Sequence, residues 1–278
     1  MDNVAAIEGT SGDPVPAGTF NDQQLDEFAR ELQDDGICVL RAALDPLLIE
    51  AWADAFARLF ERRRGIEGGL APRETERYYL TLPWREPFAD ARAFAHPAIL
   101  GVLDRLFDKD YVMVQLGADV PLPGAEYQEI HRDFMHIFPE EVITPIYAVA
   151  VNFPLVKVTD ENGPFQMARK THKMTRAEGL RKIENGEIEF ESFYADPGDV
   201  TIRSPLALHR GTPNRSDRPR PMVVMGYVRP WMNTPNVSMS IPRAYLDSLP
   251  GDLRTRMRCE EIEEVVEDDV ETYVNFKF

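Results

Sequence analysis

Apolar residues in the first third of the chain recur at helical spacing. Leu25, Phe28, Ala29 and Leu32 fall on one face, and Asn21-Asp22-Gln23-Gln24 offers a cap, so a helix is predicted that Gly36 ends. Ile37-Cys38-Val39-Leu40 is a short continuous apolar run, which predicts a buried strand. Asp45-Pro46 opens a second helix, to about Arg64, with proline in its first turn. Its stripe of Leu48, Trp52, Ala55, Phe56 and Leu59 predicts packing on a sheet. Gly65 to Pro72 follows as a loop, then Tyr78–Trp84 as a strand and Pro97–Phe107 as a helix.

From Tyr111 the pattern changes. Strand-like runs are predicted at Tyr111–Val120, Tyr127–Phe134, Thr144–Val156, Phe165–Met167, Asp199–Arg203 and Met222–Arg229. Turn signals separate them at Pro121–Gly124, Asp160–Gly163, Asn185-Gly186 and Pro197-Gly198, with one helical insert near Thr175–Glu184. Helices first and many short strands afterwards predict a mainly β protein with flanking helices. The expected architecture is a jelly roll with N-terminal helices packed on one sheet. Met1–Thr19, with its Gly, Pro and Ser, reads as a disordered lead-in to one domain over residues 20–278. Within it lie a helical part (about 20–110), a jelly-roll core (about 111–232) and a helical, acidic end (about 241–278).

The 278 residues carry a formal charge of −16, a field that repels a phosphate backbone and argues against nucleic-acid binding. The two cysteines, Cys38 and Cys259, match no zinc pattern and suit a reducing cytoplasm, with a single disulfide left open. The amino-terminus lacks the basic and apolar regions of a signal peptide. The longest apolar stretch, Ile143 to Val156, is broken by Pro145, Asn152 and Pro154 and is too short to span a bilayer. A cytoplasmic protein without a membrane partner is expected, either monomer or homodimer. The acidic run Glu260–Asp269 reads as a solvated face.

The candidate chemistry lies in Glu126-Tyr127-Gln128-Glu129-Ile130-His131-Arg132-Asp133-Phe134. If this stretch is a strand, His131 and Asp133 share a face and Arg132 points the other way. An imidazole and a carboxylate on one face are two of the three ligands of a facial iron(II) site. Such a pair also arises by chance on an ordinary surface strand. His209, in Leu208-His209-Arg210-Gly211-Thr212-Pro213-Asn214, is a candidate third ligand brought from an opposite strand. Arg220, at the start of the run Met222–Arg229, would offer a planar, permanently charged fork to a carboxylate. Between Arg203 and Arg229 there are six arginines and one acid, Asp217, although Arg215 and Arg218 read equally well as exposed strand-edge residues.

Together, His131-x-Asp133, Asn162-Gly163-Pro164-Phe165, His209-x-Gly211-x-x-Asn214 and Arg220 resemble the phytanoyl-CoA dioxygenase family of iron(II)/2-oxoglutarate oxygenases over roughly residues 22–232. The resemblance implies a double-stranded β-helix with His131, Asp133 and His209 as iron(II) ligands. It also implies that Arg220 binds the distal carboxylate of 2-oxoglutarate and that dioxygen takes the remaining metal position. Gln128 and the string Tyr127-Gln-x-Ile-His-Arg-Asp133 look like the natural-product tailoring branch, in which Gln128 would contact the cosubstrate. Arg77 lies near a basic position that touches the cosubstrate in some members. Where the family often has Pro-Gly-Ser-His, this chain has Arg169-Lys170-Thr171-His172, which puts a cosubstrate contact by Thr171 in doubt. Related halogenases carry Gly or Ala in place of the carboxylate ligand, so Asp133 points to oxygenation.

The expected reaction is hydroxylation of a small, largely apolar metabolite in secondary metabolism. Desaturation, epimerisation, rearrangement and endoperoxide formation are alternatives at the same site, and a non-catalytic jelly-roll binding protein is an alternative of another class. His136 is expected to be structural or substrate-lining, and His96 and His172 to be loop or helix-cap histidines. Phe134, Met135, Phe138, Tyr79 and Trp231 read either as pocket lining or as core. His-Arg-Asp also opens the protein-kinase catalytic loop, but no glycine-rich loop or Asp-Phe-Gly accompanies it.

Overall fold

The structure is a computed structural model, and it describes residues 18–66, 70–138, 142–233 and 239–265. Helix α1 (Asp22–Asp35) starts on a capping box, in which Asn21 accepts from the Gln24 amide and Gln24 accepts from the Asn21 amide. It stops at Gly36, whose φ of 85° suits glycine. A Cβ there would lie 2.6 Å from Nδ1 of His172, so the absent side chain also lets His172 pack against the turn. Strand β1 (Ile37–Leu40) follows, then helix α2 (Pro46–Gly65), capped by Asp45 and with Pro46 in its first turn. After β2 (Arg77–Thr81) come helices α3 (Ala91–Phe94) and α4 (Pro97–Phe107), the latter capped by His96 through Nδ1.

Strands β3 (Val112–Pro121) and β4 (Ala148–Pro154) begin the jelly roll. They are followed by β5 (Phe165–Met167), α5 (Arg176–Glu184), β6 (Glu191–Phe193), β7 (Val200–Arg203), β8 (His209–Gly211) and β9 (Met222–Val228). A six-stranded sheet runs in the order β1-β7-β4-β9-β3-β2 and a three-stranded sheet in the order β6-β5-β8, with antiparallel pairing throughout. The predicted double-stranded β-helix with flanking helices is the architecture found.

Alternation along the large sheet sorts its side chains. Tyr78, Leu80, Leu116, Ala118, Val120, Val151, Phe153, Ile202, Val223 and Met225 join a core shared with α1, α2 and α4. Trp52 of α2 is fully buried there, edge-on to Phe153 at 5.2 Å and to Phe88 at 5.3 Å. The opposite face looks into the roll and is polar where it matters: Arg77, Tyr79, Asp119, Asn152 and Arg203 lie on it.

Several predicted boundaries shift. Tyr78–Trp84 becomes Arg77–Thr81, and Thr144–Val156 shortens to β4, because Pro145 cannot donate to a ladder. Strands β6 and β8, of three residues each, are not among the predicted runs, whereas the equally short β5 is. The carboxyl-terminal segment is not simply helical. Short helices α6 (Arg243–Ser248) and α7 (Gly251–Thr255) lie between β10 (Ser240–Pro242) and β11 (Glu260–Ile262), which pair in parallel. Of the acidic run, Glu260, Glu261, Glu263 and Glu264 are exposed, as a solvated face requires, and residues 266–269 lie outside the described residues. So does the expected lead-in, apart from Gly18 and Thr19. No described helix is long and apolar enough to cross a membrane.

Two outcomes test this packing. Trp52→Ala should cost about 3–5 kcal/mol, read as a lower urea midpoint at unchanged slope. Trp52→Phe should cost clearly less, because it also removes an indole N–H that is buried without a partner. The second outcome concerns His172, whose Nε2 lies 3.1 Å from the Gln33 carbonyl and whose pKa is lowered, chiefly by burial. Below pH of about 6.5 the unfolded imidazole takes up a proton that the buried one refuses, so stability should fall as pH is lowered through that window. Urea midpoints at pH 7 and pH 5 should differ less in His172→Gln than in the parent protein.

Candidate metal centre

The segment that carries His131 and Asp133 is not the predicted strand. It runs antiparallel to β8 through Gln128 N to Gly211 O (3.0 Å), His131 N to His209 O (3.0 Å), His209 N to His131 O (3.0 Å) and Asp133 N to Pro205 O (2.9 Å). The three steps from 128 to 131 face only the two from 211 to 209, so the register slips and a single bridge, His131 with His209, survives. That bridge places the two histidines side by side.

The expected convergence is present. One ligand atom from each of His131, Asp133 and His209 lies within 4.8 Å of the others, and this is the group of potential metal donors found among the described residues. Asp133 Oδ1 is 3.7 Å from His131 Nε2 and 3.4 Å from His209 Nε2, and the imidazole centroids are 4.3 Å apart. Each ring commits its other nitrogen: His131 Nδ1 lies 2.7 Å from the Glu129 carbonyl and His209 Nδ1 lies 2.9 Å from the Ala207 carbonyl. A carbonyl only accepts, so both Nδ1 atoms carry the hydrogen and both Nε2 lone pairs face Asp133.

Electrostatics keep these donors open. Burial pushes His209 down to about 4, which leaves it neutral near pH 7. Burial alone would raise the Asp133 carboxyl, but the Arg203 guanidinium holds it well below the usual carboxylate range. Arg203 Nη2 stands 2.8 Å from Asp133 Oδ2, so Oδ1 is the oxygen turned to the histidines.

Arg132 points away, as alternation predicts. It is buried and donates from Nη2 to the carbonyls of Thr171 and Met174, each at 2.8 Å, pinning the segment to the short 3-10 turn Thr171–Lys173. Thr171 is a fastener within the fold: its hydroxyl donates to Ala168 O and accepts from Leu208 N, immediately before His209. His136 is buried, with Nε2 2.9 Å from the Met174 carbonyl, which fits a structural role.

At the β2–β3 end of the sheet lies a second charged group. Arg77 Nη1 is 2.8 Å from Asp119 Oδ2, and Arg220 Nη2 is 3.8 Å from the same oxygen. Both arginines are buried, so two guanidiniums face one carboxylate. Burial lowers Arg220 to about 10, with Asp119 opposing the shift and Arg77 adding to it, and the side chain stays charged at neutral pH. Sequence reasoning missed Asp119, whose only signal is its acidity at an inward position of a strand. Gly211 makes room here, because a Cβ would lie 2.4 Å from Arg77 Nη2. Asn214 accepts from Ser216 and donates to Pro121 O (3.0 Å) and Arg218 O (2.7 Å), shaping the loop that delivers Arg220. Gln128 is half-buried, accepting from the Gly211 amide at 2.9 Å and donating to Glu74 at 3.3 Å. Arg215 and Arg218 are exposed, as their bland reading holds.

After Asp133 the chain enters an apolar cluster. Phe134 and Met232 pack with Val112, Val114, Tyr147, Leu206 and Val228, and Tyr147 reaches Trp231 at 5.5 Å. Met135, Phe138 and Trp231 are exposed, whereas Tyr79 is buried with its hydroxyl accepting from Gln115.

Known proteins share this framework. A dioxygenase of Aspergillus fumigatus, "Dioxygenase af480", is 24% identical over 287 residues, covering 98% of this chain and 88% of its own. The epimerase SnoN from nogalamycin biosynthesis, solved with Fe3+, alpha ketoglutarate and nogalamycin RO, superposes with a TM-score of 0.61 at 18% identity, over 83% of this chain and 92% of its own. EctD from S. alaskensis, solved with bound Fe, superposes with a TM-score of 0.62 at 16% identity, over 89% of each chain. The family model described as phytanoyl-CoA dioxygenase (PhyH) matches residues 32–222, a span that holds His131, Asp133, His209 and Arg220. The chain belongs to the phytanoyl-CoA dioxygenase family.

Proposed function

We propose that this protein is an iron(II)- and 2-oxoglutarate-dependent dioxygenase that hydroxylates a small, largely apolar metabolite in secondary metabolism. The observation that carries the proposal is the cluster of two imidazole Nε2 atoms and one carboxylate oxygen within 4.8 Å. The donor set fits the metal: two imidazoles and one carboxylate, with open positions beside them, are the ligands of non-haem iron(II) oxygenases. His131, Asp133 and His209 would hold the ion, and the carbonyls of Glu129 and Ala207 orient the two rings. When bound, iron(II) and 2-oxoglutarate supply the oxidation of an unactivated C–H bond by dioxygen, with succinate and carbon dioxide as coproducts.

Arg220 would receive the distal carboxylate, with Arg77 beside it. The excess of one positive charge over Asp119, in a buried setting, supports an anion there. Gln128 would contact the cosubstrate by exchanging its longer bond, the one to Glu74, and keeping the bond to Gly211. The apolar cluster of Phe134, Tyr147 and Leu206, which starts at the residue after Asp133, supports an uncharged, apolar substrate. We place the reaction in the cytoplasm, within one oxygenase domain over residues 20–278, and both cysteines are free thiols. Epimerisation has a specific support as a second reading, because SnoN is named an epimerase. Product mass and labelling from dioxygen separate it from hydroxylation.

Succinate release should require iron(II) and substrate and should fall at least a hundredfold in His131→Ala. Succinate formed at the parent rate by that variant would sink the assignment. Arg220→Leu should raise the KM for 2-oxoglutarate by about 10- to 100-fold, the worth of a charge-assisted hydrogen bond, while leaving iron binding intact.

A further inference from the structure

We propose that Arg203 is a positioning residue that makes Asp133 a one-oxygen metal donor and thereby sets the number of coordination positions left open. The inference rests on the metal-centre reading above. Ile202 packs among the helices, so Arg203, the next residue of β7, faces the interior of the roll. Its Nη2 holds Asp133 Oδ2 at 2.8 Å, leaving Oδ1 to face His209 Nε2 at 3.4 Å and His131 Nε2 at 3.7 Å.

The guanidinium is held on three sides. Nε donates to Asn152 Oδ1 at 3.3 Å, and Asn152 is itself tied to the Val223 carbonyl. The ring of Phe165 lies 5.0 Å beneath the guanidinium and 5.4 Å from the His209 ring, so a single phenyl group braces the arginine and a donor histidine together. Such bracing is more than a strand-closing ion pair needs.

A second feature of Arg203 bears on the site. Its Nη1 is buried and makes no hydrogen bond among the described residues. Buried donors are normally satisfied by the fold, so an unused N–H beside a metal-donor cluster is a group kept for an acceptor that arrives with a ligand.

The chemistry depends on the donor count. A carboxylate with both oxygens free can chelate and take a second position on the ion. With Oδ2 engaged by Arg203, the protein would supply three donors to a bound ion and would leave room for a chelating keto acid and one further molecule.

Cobalt(II) is the probe, titrated into the full chain without cosubstrate and followed by its visible spectrum, with thermal melting of the metal-free protein as the folding control. Arg203→Met should weaken cobalt binding about 10- to 100-fold, the usual effect of losing a partner of a metal ligand, and should change the cobalt band intensities. Arg203→Lys, which keeps the charge without the fork, should recover part of the affinity. Folded Arg203→Met with parental affinity and spectrum would overturn the role of Arg203 and leave the metal centre standing. Should Arg203→Met not fold, Asn152→Leu removes the rear support instead. Weaker cobalt binding with an altered spectrum in that variant supports the role, and parental values overturn it. A parent chain that binds no cobalt would overturn the metal centre and this inference with it.

Discussion

Two backbone hydrogen bonds hold the chemistry together. His131 and His209 exchange N–H and carbonyl groups at 3.0 Å each, the only ladder contact that the donor segment makes as a bridge among the described residues. Residues far apart in the chain become neighbours through it, and both imidazoles emerge on the same side. The cost of closing such a long loop is met by the rest of the jelly roll, so the site needs little stabilisation of its own. Arg132 and Thr171 reinforce the bridge from behind, one anchoring the residue after His131 and the other the residue before His209.

The interior of the roll is sorted by polarity. Two buried guanidiniums sit around Asp119 at one end, an Arg203–Asp133 pair stands by the histidines, and Phe134 packs against an apolar cluster. Buried charges are costly unless paired, and here each arginine has a carboxylate within 4 Å. The pairing is incomplete in one respect, because two arginines share a single aspartate. Inside a chain of formal charge −16, that buried excess is locally positive.

Glycines and asparagines of the motifs turn out to be builders. Gly163 has φ of 87° and no room for a Cβ, which would lie 2.7 Å from the Pro213 carbonyl. Thr212 donates to Pro164 O at 2.7 Å, so the Asn162-Gly163 turn is clamped to the strand exit that leads from His209 to Arg220. Asn214 then folds the next six residues back onto Pro121. The motif spacing therefore encodes the path of the backbone between His209 and Arg220.

Much of this was legible in the amino-acid order. Helical spacing gave α1, α2 and α4 almost to the residue, because their apolar stripes and caps are local signals, and alternation gave the long strands of the large sheet. His131, Asp133, His209 and Arg220 could be picked out by type and spacing. The donor segment could not be described correctly, since its extended shape depends on slipped pairing with β8 and not on its own strand propensity. Asp119 and Arg203 were also hidden as partners, because a charged residue on a strand reads alike whether its face meets water or a buried guanidinium. Local periodicity fixes which face a residue takes; only the closing of two sheets over one another decides what that face meets.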